Sequence, residues 1–457
     1  MNTKVKVFLA GCLITFSTQA KSQNVVPVFD KVLFYGGYAS LEELADVMVP
    51  VPEGVYRLRT SVITTKLSEE QLNLLSGSIR LDVVIKASCD NYDRAGHVNI
   101  AFVHKDSALY DLSKVQRIEV ARFITPFMNK NVQPDTVSYT YQVNYLQHLF
   151  QDKTLREQYN FWMELDIFGV PQGGAVSSCS GKRDTFYGSL TLTATSSAST
   201  LEDDNVFIPL FMKNGFNNYR EGATDTIGKT VKNIQFTVEE NLTDAHLVLI
   251  TSNHGANEGG EEYNRRLHYV YLNNEEVLRY RPGRTTCEPF RKYNTQPNGI
   301  YSLYPRTDAE WQSFSNWCPG DVIDTRIIKL GALSAGEYVF KIEVPQAVFV
   351  GQQGNIPLSL YFQGKTRGKL SNDVTGIKSA SLKSNSVILS PSLVDDAFSI
   401  HSSEAVKTVR VYAITGQQML HKDNVSTISL TSFASGIYIV SVELESGCKS
   451  IHKVLKK

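Results

Sequence analysis

Runs of alternating, β-branched residues dominate this chain and constrain its fold more than any other feature. Residues 79–85 read Ile-Arg-Leu-Asp-Val-Val-Ile, the period-two pattern of a strand with one face in a core. Residues 98–103, 161–167 and 268–272 repeat that strand-like pattern. Helical patterns are few. Residues 68–75 and 144–150 each predict a short turn or helix and no more. Many short strands between Gly, Asn and Asp turns predict an all-β chain of antiparallel sandwiches or jelly rolls.

Composition narrows the function classes. The 457 residues suffice for two or three domains. Lys plus Arg and Asp plus Glu both number 46. No global field therefore draws the chain to nucleic acid or to an anionic membrane surface. A hydrophobic share of 42% fits packed domains rather than disorder.

The start of the chain reads as an address. Lys4 and Lys6 precede an apolar run over 7–16, and small or polar residues follow to Ala20. That run is too short for a transmembrane segment and predicts a secretory signal peptide over 1–22. Leu9-Ala10-Gly11-Cys12 looks like a lipoprotein cleavage box, but cleavage there would leave a very short apolar stretch. Export makes disulfides the expected state of cysteine. Beyond Cys12 the chain has Cys89, Cys179, Cys287, Cys318 and Cys448. The odd count leaves at least one thiol unpaired or intermolecular. No pair has C-x-x-C or zinc spacing, and no metal or cofactor is expected.

Composition shifts predict the domain borders. Ser, Thr and Gly crowd the stretch from Gly169 to Asp204. A linker or insertion over 170–204 is expected between β domains at 24–169 and 205–365. The chain turns polar again near Gly364-Lys365-Thr366-Arg367-Gly368, and a small β pattern occupies 380–457.

Three stretches concentrate reactive side chains. Cys89-Asp90-Asn91-Tyr92-Asp93-Arg94-Ala95-Gly96-His97 lies between two predicted strands. A guanidinium beside Asp93 keeps the carboxylate ionised and orients a polar substrate; the alternative is a turn with a surface ion pair. Residues 252–268 form a Gly-rich loop containing His254, which feeds a strand opening with two acids and two arginines. Alternation predicts Glu262, Asn264 and Arg266 on one face and Glu261, Tyr263 and Arg265 on the other. That pattern marks a polar cleft at a sheet end or a solvated edge strand. Cys287 and Cys318 flank a Tyr- and Asn-rich loop, and a bridge closing it is worth about 3–4 kcal/mol. Trp317, beside it, is a stacking platform or core.

In this order the stretches resemble peptide-N-glycosidase F over roughly 29–363. Val28-Phe29-Asp30-Lys31-Val32 resembles that family's opening strand. The stretch ending in Asp93-Arg94 looks like its catalytic loop, and Ala121-Arg122-Phe123-Ile124-Thr125-Pro126-Phe127 its following strand. Residues 260–274 line up with a Glu-aromatic strand. Trp317-Cys318-Pro319-Gly320 with Thr325-Arg326-Ile327 is similar to a Trp-Cys-Pro-Gly…Thr-Arg-Ile segment. The resemblance implies two eight-stranded antiparallel jelly rolls side by side, with the site in the groove between them. It implies an amidase that hydrolyses the bond between a protein asparagine and the first GlcNAc of an N-linked glycan. Glycoproteins or glycopeptides are then the partners, and no cofactor is implied. Asp93 matches the principal catalytic aspartate, Glu262 a second acid and Arg94 a substrate-contacting arginine. Arg266, His254 and Trp317 are further substrate-binding candidates, and Cys287–Cys318 matches a family disulfide.

Departures from the pattern accompany the matches. Tyr92 stands where the family has Trp, Cys89 has no nearby cysteine, and the linker is longer. A third carboxylate does not align cleanly; Glu164 and Glu157 are its candidates. These departures point to an alternative, a catalytically impaired glycan-binding surface protein on the same fold. Separately, 390–457 resembles a type IX secretion sorting domain. Its carriers are Val409-Arg410-Val411-Tyr412, Gly436-Ile437-Tyr438-Ile439-Val440 and the closing Lys453-Val454-Leu455-Lys456-Lys457. That resemblance implies a small Ig-like β sandwich, the type IX machinery as a partner, and a secreted or cell-surface destination.

Overall fold

The structure is a computed structural model that describes residues 23–172, 176–195, 201–216, 230–256, 260–313, 316–347, 349, 354–366, 388–390, 393–402, 405–413, 417–445 and 449–456. The expected signal over 1–22 and the odd cysteine Cys448 lie outside the described residues. The chain divides into two compact units, 1–377 and 378–457.

The first unit begins with nine strands: β1 (Gln23–Tyr35), β2 (Val55–Arg59), β3 (Val62–Lys66), β4 (Ser78–Ala87), β5 (Ala95–His104), β6 (Gln116–Ile124), β7 (Thr136–Gln142), β8 (Tyr159–Ile167) and β9 (Asp184–Thr195). Helices are short: α1 (Glu69–Leu74), α2 (Leu146–Phe150) and α3 (Lys153–Gln158). Nine more strands follow: β10 (Asn205–Phe216), β11 (Val231–Val238), β12 (Leu242–Thr251), β13 (His268–Leu272), β14 (Glu275–Tyr280), β15 (Val322–Ile323), β16 (Thr325–Leu333), β17 (Gly336–Glu343) and β18 (Ile356–Thr366). They build two sandwiches. Sheets β1-β9-β4-β7 and β15-β6-β5-β8-β3-β2 make the N-terminal one, and β10-β18-β12-β16 and β11-β17-β13-β14 the C-terminal one. The fold is the all-β jelly-roll pair that the sequence leads one to expect.

The period-two expectation is met in β4. Ile79, Leu81, Val83 and Ile85 are fully buried, and the residues between them face outward. The expected short helix at 68–75 is α1. It starts at Ser68, whose hydroxyl accepts from Gln71 N while the Gln71 side chain accepts from Ser68 N, a capping box that satisfies two otherwise orphaned donors.

The expected linker over 170–204 is corrected by the structure. Its 184–195 part is strand β9, which lies between β1 and β4. Phe186, Leu190, Leu192 and Ala194 point into the core. The Ser/Thr content reads as linker, yet Thr is β-branched and suits the outer face of a strand.

The two sandwiches share a sheet. Short β15, from the C-terminal half, pairs with β6 of the N-terminal half, Val322 opposite Phe123 and Ile323 opposite Arg122. Strands β10, β12, β16 and β18 lie against β6. Both faces of β6 are therefore covered, one by its own core and one by the C-terminal sandwich. Charged residues on the covered outer face must be paired to be tolerated.

The second unit is a small β sandwich. Its strands are β19 (Ile388–Ser390), β20 (Leu393–Val394), β21 (Ala397–His401), β22 (Val406–Ala413), β23 (Gln418–Asp423), β24 (Thr427–Ser429), β25 (Gly436–Leu444) and β26 (Lys449–Lys456). Sheets β19-β21-β24 and β20-β26-β25-β22-β23 enclose Val394, Phe398, Val409, Val411, Val440 and Val442. No helix among the described residues is long and apolar enough to cross a membrane.

Candidate active site

The loop leading into β5 is clamped around Asp93. Cys89 is bonded to Cys179, so the cysteine that had no near neighbour in sequence finds its partner 90 residues away. Next to it, Asp90 is fully buried. Its carboxylate accepts from Tyr92 N at 2.9 Å, Arg94 Nε at 2.8 Å, Arg94 Nη2 at 3.3 Å and Val170 N at 2.6 Å. Thr125, just beyond β6, holds both neighbours of Asp93. Its hydroxyl accepts from Arg94 N at 2.7 Å and donates to Tyr92 O at 3.0 Å. The Asp93 backbone is thereby fixed on either side.

The opposing wall comes from the C-terminal sandwich. Residues 260–267 are not the strand that alternation predicts; strand pairing starts at His268. Glu261 is fully buried and is paired with Arg266, Nε to Oε2 at 3.0 Å and Nη2 to Oε1 at 3.2 Å. A strand would send residues five apart to opposite faces, whereas a buried carboxylate needs a cation. The turn supplies that cation. Glu262 then stands on the cleft side. Its carboxylate accepts from Gly255 N at 3.3 Å, and its carbonyl accepts from Asn316 N at 3.1 Å. Tyr263 also bonds the Glu262 carboxylate.

Asp93 senses the charge of Glu262. Burial, then the Glu262 charge, push the Asp93 carboxyl up to about 7; the Arg94 guanidinium opposes the rise. Burial also raises Glu262, against the bonds from Tyr263 and Gly255 N. Tyr263 feels both carboxylates, and Tyr301 feels Asp93. In a partly buried cleft, charge on one carboxyl disfavours ionisation of its neighbour. Asp93, Arg94, Glu262, Tyr263 and Tyr301 thus form one cluster.

Other expected residues fall elsewhere. Arg266 is tied to Glu261. Trp317 is 5% exposed, packs on Ile124, Ile250 and Ile323, and donates from Nε1 to Asn253 O at 2.9 Å; it is core and not an open stacking surface. His254 shares a 2.7 Å bond between Nε2 and Ser252 Oγ. Burial, together with the nearby Arg122 charge, lowers its pKa to about 3, so it is neutral. The third-carboxylate candidates are also corrected. Glu164 is fully buried and bonded by Asn99, Tyr110 and Arg117. It faces Asn99, four residues into β5, about 13 Å from the strand start at 3.3 Å per residue. Glu157 is exposed on α3, beside Tyr159, at the far end of the β5–β8 ladder from Ala95. Cys287 and Cys318 are bonded as expected, and the bridge packs with Phe127, Tyr301 and Trp311 near the cleft.

A polar chain through the interface was not anticipated. Glu119 and Arg122 on β6 are fully buried. Arg122 grips Glu119 through Nε at 2.8 Å and Nη2 at 2.7 Å, and its Nη1 reaches Ser252 Oγ at 2.7 Å and Pro357 O at 3.0 Å in the other sandwich. His97 shares a 2.7 Å bond with Glu119, and Ser359 donates to it. The visible signal was two charges inside the apolar run Ile118-Glu119-Val120-Ala121-Arg122-Phe123.

Comparisons with known proteins agree with this architecture. The family model described as peptide-N-glycosidase F, N terminal, matches 25–173, and that described as peptide-N-glycosidase F, C terminal, matches 223–363. A secretion system C-terminal sorting domain matches 391–457. No curated protein matches the chain. Among solved structures, PNGF-II in a P21 crystal form is similar at 19% identity and a TM-score of 0.53, the match covering 76% of this chain and 66% of that one. The chain thus spans just under two thirds of that relative. PNGF-II in a C2 form gives 18%, 0.52, 78% and 66% in the same terms. PNGase F, a glycosylasparaginase from Flavobacterium meningosepticum, gives 14%, 0.46, 76% and 96%.

Proposed function

Because this chain belongs to the peptide-N-glycosidase F family, we propose that it hydrolyses the amide between a protein asparagine and the first GlcNAc of an N-linked glycan. The products are an aspartate in the protein and a glycosylamine, which then loses ammonia. The observation that carries this reading is the loop that Thr125 clamps on both sides of Asp93, in a cleft it shares with Glu262, whose charge acts with burial to push Asp93 up to about 7. A carboxyl that titrates near neutrality is suited to take a proton from water at the pH of use. Asp93 deprotonates or orients the attacking water, and Glu262 with Tyr263 holds the glycan or that water. Arg94 has two nitrogens committed to Asp90 and orients the amide through Nη1. An amide held between opposite walls loses little entropy on reaction.

One observation favours the second reading, a glycan-binding protein without catalysis. Glu164 and Glu157, the two candidates for a third acid, both stand away from the pair. A denatured N-glycoprotein treated with the protein and with Asp93→Asn decides between them. Glycan release with conversion of Asn to Asp, lost in the variant, supports the amidase. Intact glycoprotein that still binds the protein supports the binder. The C-terminal sorting domain makes the cell surface or the medium the site of action.

A further inference from the structure

A cavity of about 370 Å³ lies outside the Asp93–Glu262 pair, lined by Arg59, His97, Ser113, Arg117, Asp166 and Lys213 with Phe168 among its walls. It sits on the outer face of the sheet containing β5, between that sheet and Lys213 of β10. Its size is that of an ordinary small-molecule site. We propose that this cavity binds a neutral hexose of the glycan, beyond the sugar joined to asparagine. The link to Asp93 rests on the amidase reading above; the binding itself does not.

Three observations carry the assignment. The first is position. His97 lies four residues along the chain from Asp93, at most about 13 Å at full strand extension. The cavity is therefore within reach of the sugars that follow the reacting one. Phe168 is at the Asp93 end of the sheet, because Ile167 pairs with Gly96. The Asp90 carboxylate that holds Arg94 also accepts from Val170 N at 2.6 Å, so the cavity rim and the Asp93 loop share one anchor.

The second is the balance of charge. Lys213 pairs with Asp166 at 2.7 Å and Arg117 with Glu164 at 2.5 Å. The inner walls therefore present fixed donors and acceptors without requiring a counter-ion. A polyol with both donors and acceptors matches such a surface. Arg59 is exposed, where solvent screens its charge. The third is the aromatic rim. Phe168 is 40% exposed and Tyr38 84%, and their rings meet edge to face at 4.8 Å. A ring held this way offers an apolar face to the C–H face of a hexose.

The test uses calorimetry with free Man5GlcNAc2, which has no amide to cut, on the full exported chain and on Ser113→Trp and Phe168→Ala. Ser113 is exposed at the cavity wall, so tryptophan fills space there; matched unfolding temperatures establish that each variant folds. The expected result is binding by the wild type, at least tenfold weaker binding by Ser113→Trp and several-fold weaker binding by Phe168→Ala. On glycopeptides, KM for a Man5GlcNAc2 substrate rises about tenfold with kcat kept, while a GlcNAc2 substrate is unaffected. Undiminished binding in both variants, no binding by the wild type, an equal loss on the GlcNAc2 substrate, or a preference for acid-capped glycans over mannose overturns the proposal. If the wild type does not convert Asn to Asp, the amidase reading fails while calorimetry still decides the site.

Discussion

Asp90 grips Arg94 through Nε at 2.8 Å and Nη2 at 3.3 Å, which fixes the guanidinium beside the neighbouring Asp93. The guanidinium is held by one carboxylate and cannot also close down on the next. It lowers Asp93 only through space, and burial with the Glu262 charge outweighs it.

The pH dependence of kcat/KM follows. With Asp93 as the base, the rate rises as pH increases through about 7. Glu262→Gln removes a like charge, so the acidic limb should move to lower pH even though kcat falls. Profiles of wild type and variant on one glycopeptide measure this. An unmoved limb would mean that the two carboxyls are not coupled.

Asp93 also leaves a mark on stability. Its folded value of about 7 lies above the unfolded value of about 3.9. The folded state therefore keeps a proton that the unfolded chain releases between those values, and stability falls as pH rises across that window. Three units correspond to about 4 kcal/mol; screening of a partly exposed carboxyl reduces this to the order of 1–2 kcal/mol. Asp93→Asn escapes the loss. Chemical denaturation should find the variant equal to wild type near pH 4 and more stable at pH 8.

The fold is legible in sequence, whereas the surroundings of Asp93 and Glu262 are not. Alternation in 79–85 needs only neighbours along the chain, and β4 appears where it predicts. Asp93 and Glu262 stand on short motifs, and the Glu262 charge acts with burial to raise Asp93. Glu164 looked like a candidate acid because its partners Asn99, Tyr110 and Arg117 come from three separate segments. The Glu261–Arg266 pair is hidden in sequence because alternation predicts a strand where a turn occurs. β9 was hidden by Ser and Thr on its outer face. In each case the missing information is a long-range contact or a local break in period.

Arg122 is one of the links between the halves. Arg122→Met leaves Glu119 buried without its cation, and removing one member of a buried pair costs about 3–5 kcal/mol. The double variant Glu119→Gln/Arg122→Met leaves no buried charge behind and should regain part of that stability, as read by denaturation midpoints. Both variants should lose kcat/KM under conditions where they remain folded. Ser252, which Arg122 holds, lies three residues before Gly255, the donor to Glu262.

The two disulfides separate stability from activity. Cys89–Cys179 closes 90 residues and Cys287–Cys318 closes 31. Loop entropy assigns about 4–5 kcal/mol to the first and about 3–4 kcal/mol to the second. Only the first adjoins Asp90, whose carboxylate orders Tyr92, Arg94 and Val170. Cys89→Ala/Cys179→Ala should therefore lower kcat/KM more than its loss of stability explains, since a displacement of about 1 Å at a reacting group costs up to 10²-fold. Assays well below each variant's unfolding temperature make the comparison. Equal activity in wild type and this variant would show that hydrogen bonds alone hold the Asp93 loop.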